Sequence, residues 1–270
     1  MPMTEDKWAR WLNKDRWPEQ KAPLEAALNS VRDHILELGE LKPGQRVLDL
    51  GAGTGLLGLR AAEIVGQTGG VTFLDISAGA LKTAAAAPPA GCEHFLVADG
   101  IHLPLLDDWA DAVVARSVLI YIQDRRAAAN EIARVLRHGG RFVAYEPINR
   151  RMEQIIDMTG FEDVEQAYTS AMETNPLTDF DENDLVGAFR EAGFSPVEIE
   201  TGESRFPVRG KEWVHGFKHG APAGYSGYDM LLAGGISAGR ADEFLAVGER
   251  QIGDEWRAWS CPHVYITAVR

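Results

Sequence analysis

Two cysteines, Cys92 and Cys261, stand in a chain of 270 residues. So few thiols exclude a disulfide framework and a thiolate metal cluster. Long apolar runs are missing too, and no stretch approaches the roughly 18 to 20 residues that a membrane-spanning helix needs. Positive charge is the third scarcity: 27 lysines and arginines face 40 acidic residues, a net charge of −13 with neutral histidines. A surface of that sign repels phosphate backbones and anionic lipid. Non-specific nucleic-acid binding is thereby disfavoured, although a local basic pocket is not excluded. Residues 1–17 mix charges with Trp8, Trp11 and Trp17 and hold no apolar stretch of the secretory kind, so a cytoplasmic protein without an integral membrane segment is expected.

What is present is an ordinary globular composition, 45% hydrophobic and 25% charged, on a chain long enough to bury its own core. Trp8, Trp11 and Leu12 share a helical face, and Pro18 ends that segment. Residues 23–39 repeat apolar positions near every 3.6 residues. Short apolar runs then alternate with helical patterns. Strands are predicted at 46–50, 71–75, 95–98, 112–115 and 141–145, with helices at 56–65, 77–87 and 124–136, and a tight turn at His138-Gly139-Gly140. A helix at 181–192 and strands at 197–200 and 264–269 follow. The alternation predicts an α/β fold: a Rossmann-like, mostly parallel sheet with helices on both faces, closed by a terminal antiparallel hairpin strand at the sheet edge. Residues 1–40 read as a helical cap and 41–270 as the main domain. Irregular insertions interrupt it at 149–180 and 201–262, the second containing a helix at 242–252.

The run Asp49-Leu50-Gly51-Ala52-Gly53-Thr54-Gly55 lies between a strand and a helix. Glycines there either let a ligand approach the backbone or simply make a tight turn. A dinucleotide fingerprint needs its third glycine at 56, where Leu56 stands. Asp49 at the strand end repels a pyrophosphate and suits a cationic ligand. Asp75 ends the second strand, where a carboxylate accepts from ribose hydroxyls. Asp99 ends the third, within reach of an exocyclic amine. Each alone reads equally well as a cap or turn residue. Three carboxylates on successive strand ends form a set.

These residues, together with Ala98-Asp99-Gly100, Asp111-Ala112-Val113-Val114 and Arg134-Val135-Leu136-Arg137-His138-Gly139-Gly140-Arg141-Phe142, resemble the core of the class I S-adenosylmethionine-dependent methyltransferases over residues 46–147. The resemblance is to the bacterial quinone-biosynthesis type and its small-molecule relatives. It implies S-adenosylmethionine as cofactor and no metal. Gly51, Ala52 and Gly53 would pack on the methionyl part and ribose, with Asp49 near the ammonium. Asp75 and the adjoining Ile76 would hold the ribose, and Asp99, Gly100 and Ile101 the adenine. Arg116 and Ser117 would lie beside the methionine tail.

Candidates for acceptor chemistry are Tyr121, Glu146 and His215. Each has a plain alternative. Tyr121 reads also as an aromatic packed on the helix at 124–136, and Glu146 as a partner of Arg150 or Arg151. Arg116 reads also as a surface ion pair, and the Trp8, Trp11 and Trp17 segment as either a lid or a packed helix. His215 and His219 lie four apart, but no third metal ligand is near. Phe161, Tyr168, Phe206, Trp213, Phe217, Tyr225 and Tyr228 fall in the insertions and favour a small, apolar or aromatic acceptor. O-, N- and C-methylation stay open, as do monomer and homodimer. Rival readings are a cofactor-binding enzyme of rearrangement or cyclisation, a dinucleotide-dependent dehydrogenase, and a partner-binding module with a dead site.

Overall fold

The computed structural model describes residues 6–16, 22–173 and 175–270. Five parallel strands form the centre: β1 (Arg46–Leu50), β2 (Gly70–Asp75), β3 (Glu93–Val97), β4 (Ala110–Arg116) and β5 (Leu136–Pro147). With β6 (Val197–Val208) and β7 (Arg257–Val269) they make one seven-stranded sheet of order β3-β2-β1-β4-β5-β7-β6. The chain leaves β1 in one direction for β2 and β3, then returns to place β4 on the other side. The crevice at this reversal is where open parallel sheets bind ligands.

Side chains alternate strictly across the central strands, as the two-residue strand period requires. Leu48, Leu50, Val113, Ala115, Phe142 and Ala144 face a core under α5 (Arg125–Val135) and α7 (Glu182–Glu191). Val47, Ala112, Val114 and Val143 face a second core under α2 (Ala22–Leu38), α3 (Gly58–Val65) and α4 (Ala78–Ala85).

The structure keeps the expected terminal hairpin and corrects three other expectations. The terminal antiparallel hairpin stands at the sheet edge, with β6 outermost and β7 running antiparallel between β5 and β6. Val264, Ile266 and Ala268 of β7 are fully buried, whereas β6 exposes Glu198, Glu200 and Glu203, charges that suit an edge. The helix expected from Leu56 starts at Gly58. His138-Gly139-Gly140 is not a free turn but part of β5, where the register with β4 shifts between Ala110 and Ala112. Gly139, at φ 75°, donates its N–H to the Arg270 carbonyl at 2.8 Å.

The two insertions are also more ordered than their patterns implied. They supply α6 (Glu162–Met172), α8 (Gly210–His219), α9 (Gly227–Ala233) and α10 (Ala238–Ile252). α8 packs on α10 and α6 on α9, around a third core of Phe161, Val164, Trp213, Leu231, Phe244 and Leu245. This core joins residues far apart in sequence.

Candidate functional site

A cavity of about 640 Å3 opens at the carboxyl ends of β1, β2 and β4. Its floor is the glycine loop. Gly51 and Gly53 adopt φ 66° and 54°, the left-handed region that glycine enters without steric cost. A side chain at Gly51 would run into Val118, whose Cγ2 would be 2.3 Å from the added carbon. Asp75 ties the loop to the second strand, its two oxygens accepting from the Gly53 and Ser77 N–H groups, each at 2.8 Å.

Asp49 lies beneath the loop, 1% exposed, and accepts the Gly58 N–H at 2.8 Å. A Cβ on Gly58 would stand 2.4 Å from the Phe73 ring and 2.7 Å from the Asp49 carboxylate. Gly58 therefore lets the start of α3 meet Asp49, a role not read from the sequence. Burial pushes the Asp49 carboxyl up to about 8, helped by the nearby Asp75 and opposed by the Gly58 N–H. Burial raises Asp75 as well. Asp99 is exposed and accepts from the Ile101 N–H at 3.2 Å.

Asp49, Gly51, Ala52, Gly53, Asp75, Ile76, Asp99, Gly100, Ile101, Arg116 and Ser117 all line this one cavity. So do Trp8, Leu12, Val118, Asp124 and Tyr225, which were not among the expected cofactor-binding residues. The first two arrive through α1 (Lys7–Arg10) and the wide helical turn Trp11–Asp15. Asp6 fastens this segment. One of its oxygens caps α1 through the Trp8 and Ala9 N–H groups, and the other accepts from Ser77 Oγ at 2.6 Å and the Gly79 N–H at 3.1 Å. Trp8 then meets Tyr121 edge-on at 4.8 Å between ring centres, and Leu12 lies over Gly53. Trp11 donates its indole N–H to the His219 carbonyl at 2.8 Å. Trp17 lies outside the described residues.

A second cavity, about 410 Å3, adjoins the first and is bounded by β5, β6, β7 and α8. Trp11, Arg16, Arg116, Ser117 and Tyr121 line both. Tyr121 packs on Trp8 and Tyr225 and against the core under α5, and burial raises its phenol pKa. His215 faces the second cavity with Nε2 buried and without a hydrogen-bond partner. Its ring centre is 5.1 Å from that of His219, but among the described residues no three His, Cys, Asp or Glu gather as a metal site. Cys261 also lines this space, its thiol pushed up to about 11 by burial.

Glu146 reaches neither cavity. It is fully buried, and its carboxylate accepts three backbone N–H groups, from Val118 at 2.9 Å, Leu119 at 3.0 Å and Ile120 at 3.1 Å. Strand parity explains this: 146 shares a face with Phe142 and Ala144, under the helical turn Leu119–Tyr121. Burial pushes the acid up to about 7 against the pull of those donors. Its expected partner Arg151 pairs with Glu182 instead. Arg116, weighed as a surface ion pair, bonds no described residue.

The expected aromatic wall is largely elsewhere. Phe161, Tyr168, Trp213, Phe217 and Tyr228 belong to the third core, and Tyr225 lines the first cavity. The side chain of Phe206 lies outside the description. Trp256 and Trp259, not singled out in the sequence, face the second cavity.

Residues 48–144 match the family described as a methyltransferase domain. The ubiquinone/menaquinone biosynthesis C-methyltransferase UbiE of Vibrio vulnificus is 33% identical over 127 residues, covering 44% of this chain and 49% of that protein. The chain thus spans about half the length of the curated relatives it matches. Among solved structures, the YcgJ protein of Bacillus subtilis superposes with a TM-score of 0.58 at 16% identity, covering 89% of this chain and 98% of that one. Phosphoethanolamine N-methyltransferase 2 of Haemonchus contortus, solved with phosphomonomethylethanolamine and S-adenosylhomocysteine, gives 0.55 at 18%, covering 97% and 56%. Among the described residues no helix is long and apolar enough to cross a membrane.

Proposed function

We propose that this chain, whose residues 48–144 match a methyltransferase domain family, transfers a methyl group from S-adenosylmethionine, bound in the 640 Å3 cavity, to a small molecule held in the 410 Å3 cavity. The observation that carries this reading is the convergence of three strand-end carboxylates and a side-chain-free glycine cradle on one space. That chemistry fits the group. The cofactor has no phosphate to be repelled, and its ammonium and sulfonium are cations.

In this proposal the Gly51–Gly53 backbone receives the methionyl part and ribose. Asp49 faces the ammonium, Asp75 with Ile76 holds the ribose hydroxyls, and Asp99, Gly100 and Ile101 take the adenine. When bound, the cofactor supplies an electrophilic methyl group whose departure leaves a neutral thioether. The protein's part is then mainly to align donor and acceptor and keep water out. Tyr121 and Ser117, common to both cavities, form the passage between them. His215, in the acceptor chamber, receives the acceptor's proton where the nucleophile carries one. Glu146 is a positioning residue: by holding three consecutive N–H groups it sets the turn that carries Tyr121. Trp8, Trp11, Leu12, Arg16, Leu24 and Ala27 wall the cavities from the N-terminal segment, and the insertions select the acceptor, for which a flat apolar or quinone-like body suits the Trp256 and Trp259 walls.

Calorimetry with S-adenosylhomocysteine tests the cofactor half; one site per chain is expected, and no binding would overturn the reading. Turnover of an acceptor without formation of S-adenosylhomocysteine would favour the rearrangement or cyclisation alternative.

A further inference from the structure

The acceptor chamber has a charge opposite to that of the chain. Arg16, Arg116 and Arg205 line it against one carboxylate among the described residues, Glu212. That carboxylate is already held by the Arg209 guanidinium at 2.8 and 3.1 Å. Arg116 has no hydrogen bond or ion pair to any described residue, and its Nε is buried without an acceptor. The groups that favour its charge are the hydroxyls of Tyr145, Tyr121 and Tyr265 and the carboxylate of Glu146, whose oxygens are occupied by backbone donors. Arg16 stacks over the Trp11 ring at 5.1 Å and repels Arg116 across the shared wall. Arg205 forms no ion pair with a described residue. A guanidinium held away from water without a bonded acceptor, as at Arg116, is costly, and a carboxylate matches its planar fork of donors; Arg205 is exposed beside it.

Resting on the methyltransferase reading, we propose that the acceptor is an aromatic or flat apolar acid. Its carboxylate is received at Arg116, with Arg205 completing the anion-accepting side. Its body lies against Trp11, Tyr121, Trp256 and Trp259. The cavity's residues thereby separate an acidic cofactor end, with Asp49, Asp75 and Asp99, from a basic acceptor end.

The test uses the full chain with 2-naphthoate and its neutral counterpart 2-naphthylmethanol, followed by calorimetry with and without saturating S-adenosylhomocysteine. The acid is expected to bind at least about tenfold tighter than the alcohol, the worth of one charge-assisted pair. Arg205→Met and Arg116→Met are each expected to remove most of that preference while leaving the alcohol's affinity unchanged. Equal binding of acid and alcohol would overturn the proposal. So would a preference that survives both substitutions, or naphthoate displaced by S-adenosylhomocysteine, which would give Arg116 to the cofactor's own carboxylate. Failure of S-adenosylhomocysteine to bind strikes the methyltransferase reading instead, and is read in a separate titration.

Discussion

Glu146 is a buried acid that bonds no cation, and its energetics follow from that. Its ordinary value of 4.5 is pushed up to about 7 by burial. Below the unfolded value both states carry the proton, and the group's contribution to stability is fully present. As the pH rises through the folded value, the native state gives up a proton that burial favours, and a contribution on the order of 3 kcal/mol is lost. In urea unfolding between about pH 5 and pH 8, Glu146→Gln is expected to flatten this fall. The variant also loses an acceptor for one of three N–H groups, so the slope is the informative quantity. Equal slopes in both proteins would show that the carboxylate titrates normally in the fold. Asp75 acts differently, since it binds the loop and faces the cavity. Asp75→Ala is expected to weaken S-adenosylhomocysteine by about 1–3 kcal/mol, through an unmatched ribose and a loosened Gly53. Unchanged affinity by calorimetry would remove Asp75 from the ribose site.

Among the elements, the segment from Asp6 to Arg16 bears most directly on the site. Asp6→Ala removes both the cap of α1 and its link to Ser77 and Gly79, at a cost of about 1 kcal/mol for the cap alone. Hydrogen exchange should then speed up over residues 7–16, and S-adenosylhomocysteine should bind more weakly; unaltered protection would show that other contacts hold the segment. The parallel strands were legible because each is a short apolar run with turn signals at its end, and strand ends are where this fold binds ligands. Asp49, Asp75 and Asp99 could therefore be found from local pattern alone. Glu146 was misread because its place at a strand end was visible, but the face on which it pointed depended on parity within β5. The acceptor chamber was harder still. Arg16, Arg116, Arg205, His215 and Trp259 meet through the pairing of β6 with β7 and the docking of α8, none of which leaves a local trace. Of the insertion helices only the one at 242–252 was legible; the others were missed for the same reason, their apolar residues being gathered from separated segments.

At the scale of the molecule, three cores have separate duties. Two sandwich the sheet and hold the cofactor cavity in shape, while the third belongs to a cap formed by the insertion helices α6, α8, α9 and α10. Trp213, 5% exposed, packs against Phe217 and Phe244 within that cap. Trp213→Ala is expected to cost about 3–5 kcal/mol there. Naphthoate binding should fall sharply in this variant while S-adenosylhomocysteine binding, measured in parallel, stays close to that of the parent. Equal losses of both would mean that the cap and the sheet are not separable in this way. The shared wall has a further consequence. Trp11, Arg16, Arg116, Ser117 and Tyr121 face both spaces, so under the proposed function each ligand would meet side chains that the other has already arranged. The two affinities are then reciprocally linked: whatever factor the cofactor imposes on the acceptor, the acceptor imposes on the cofactor. Order of arrival can change how fast the ternary complex assembles, but not its free energy.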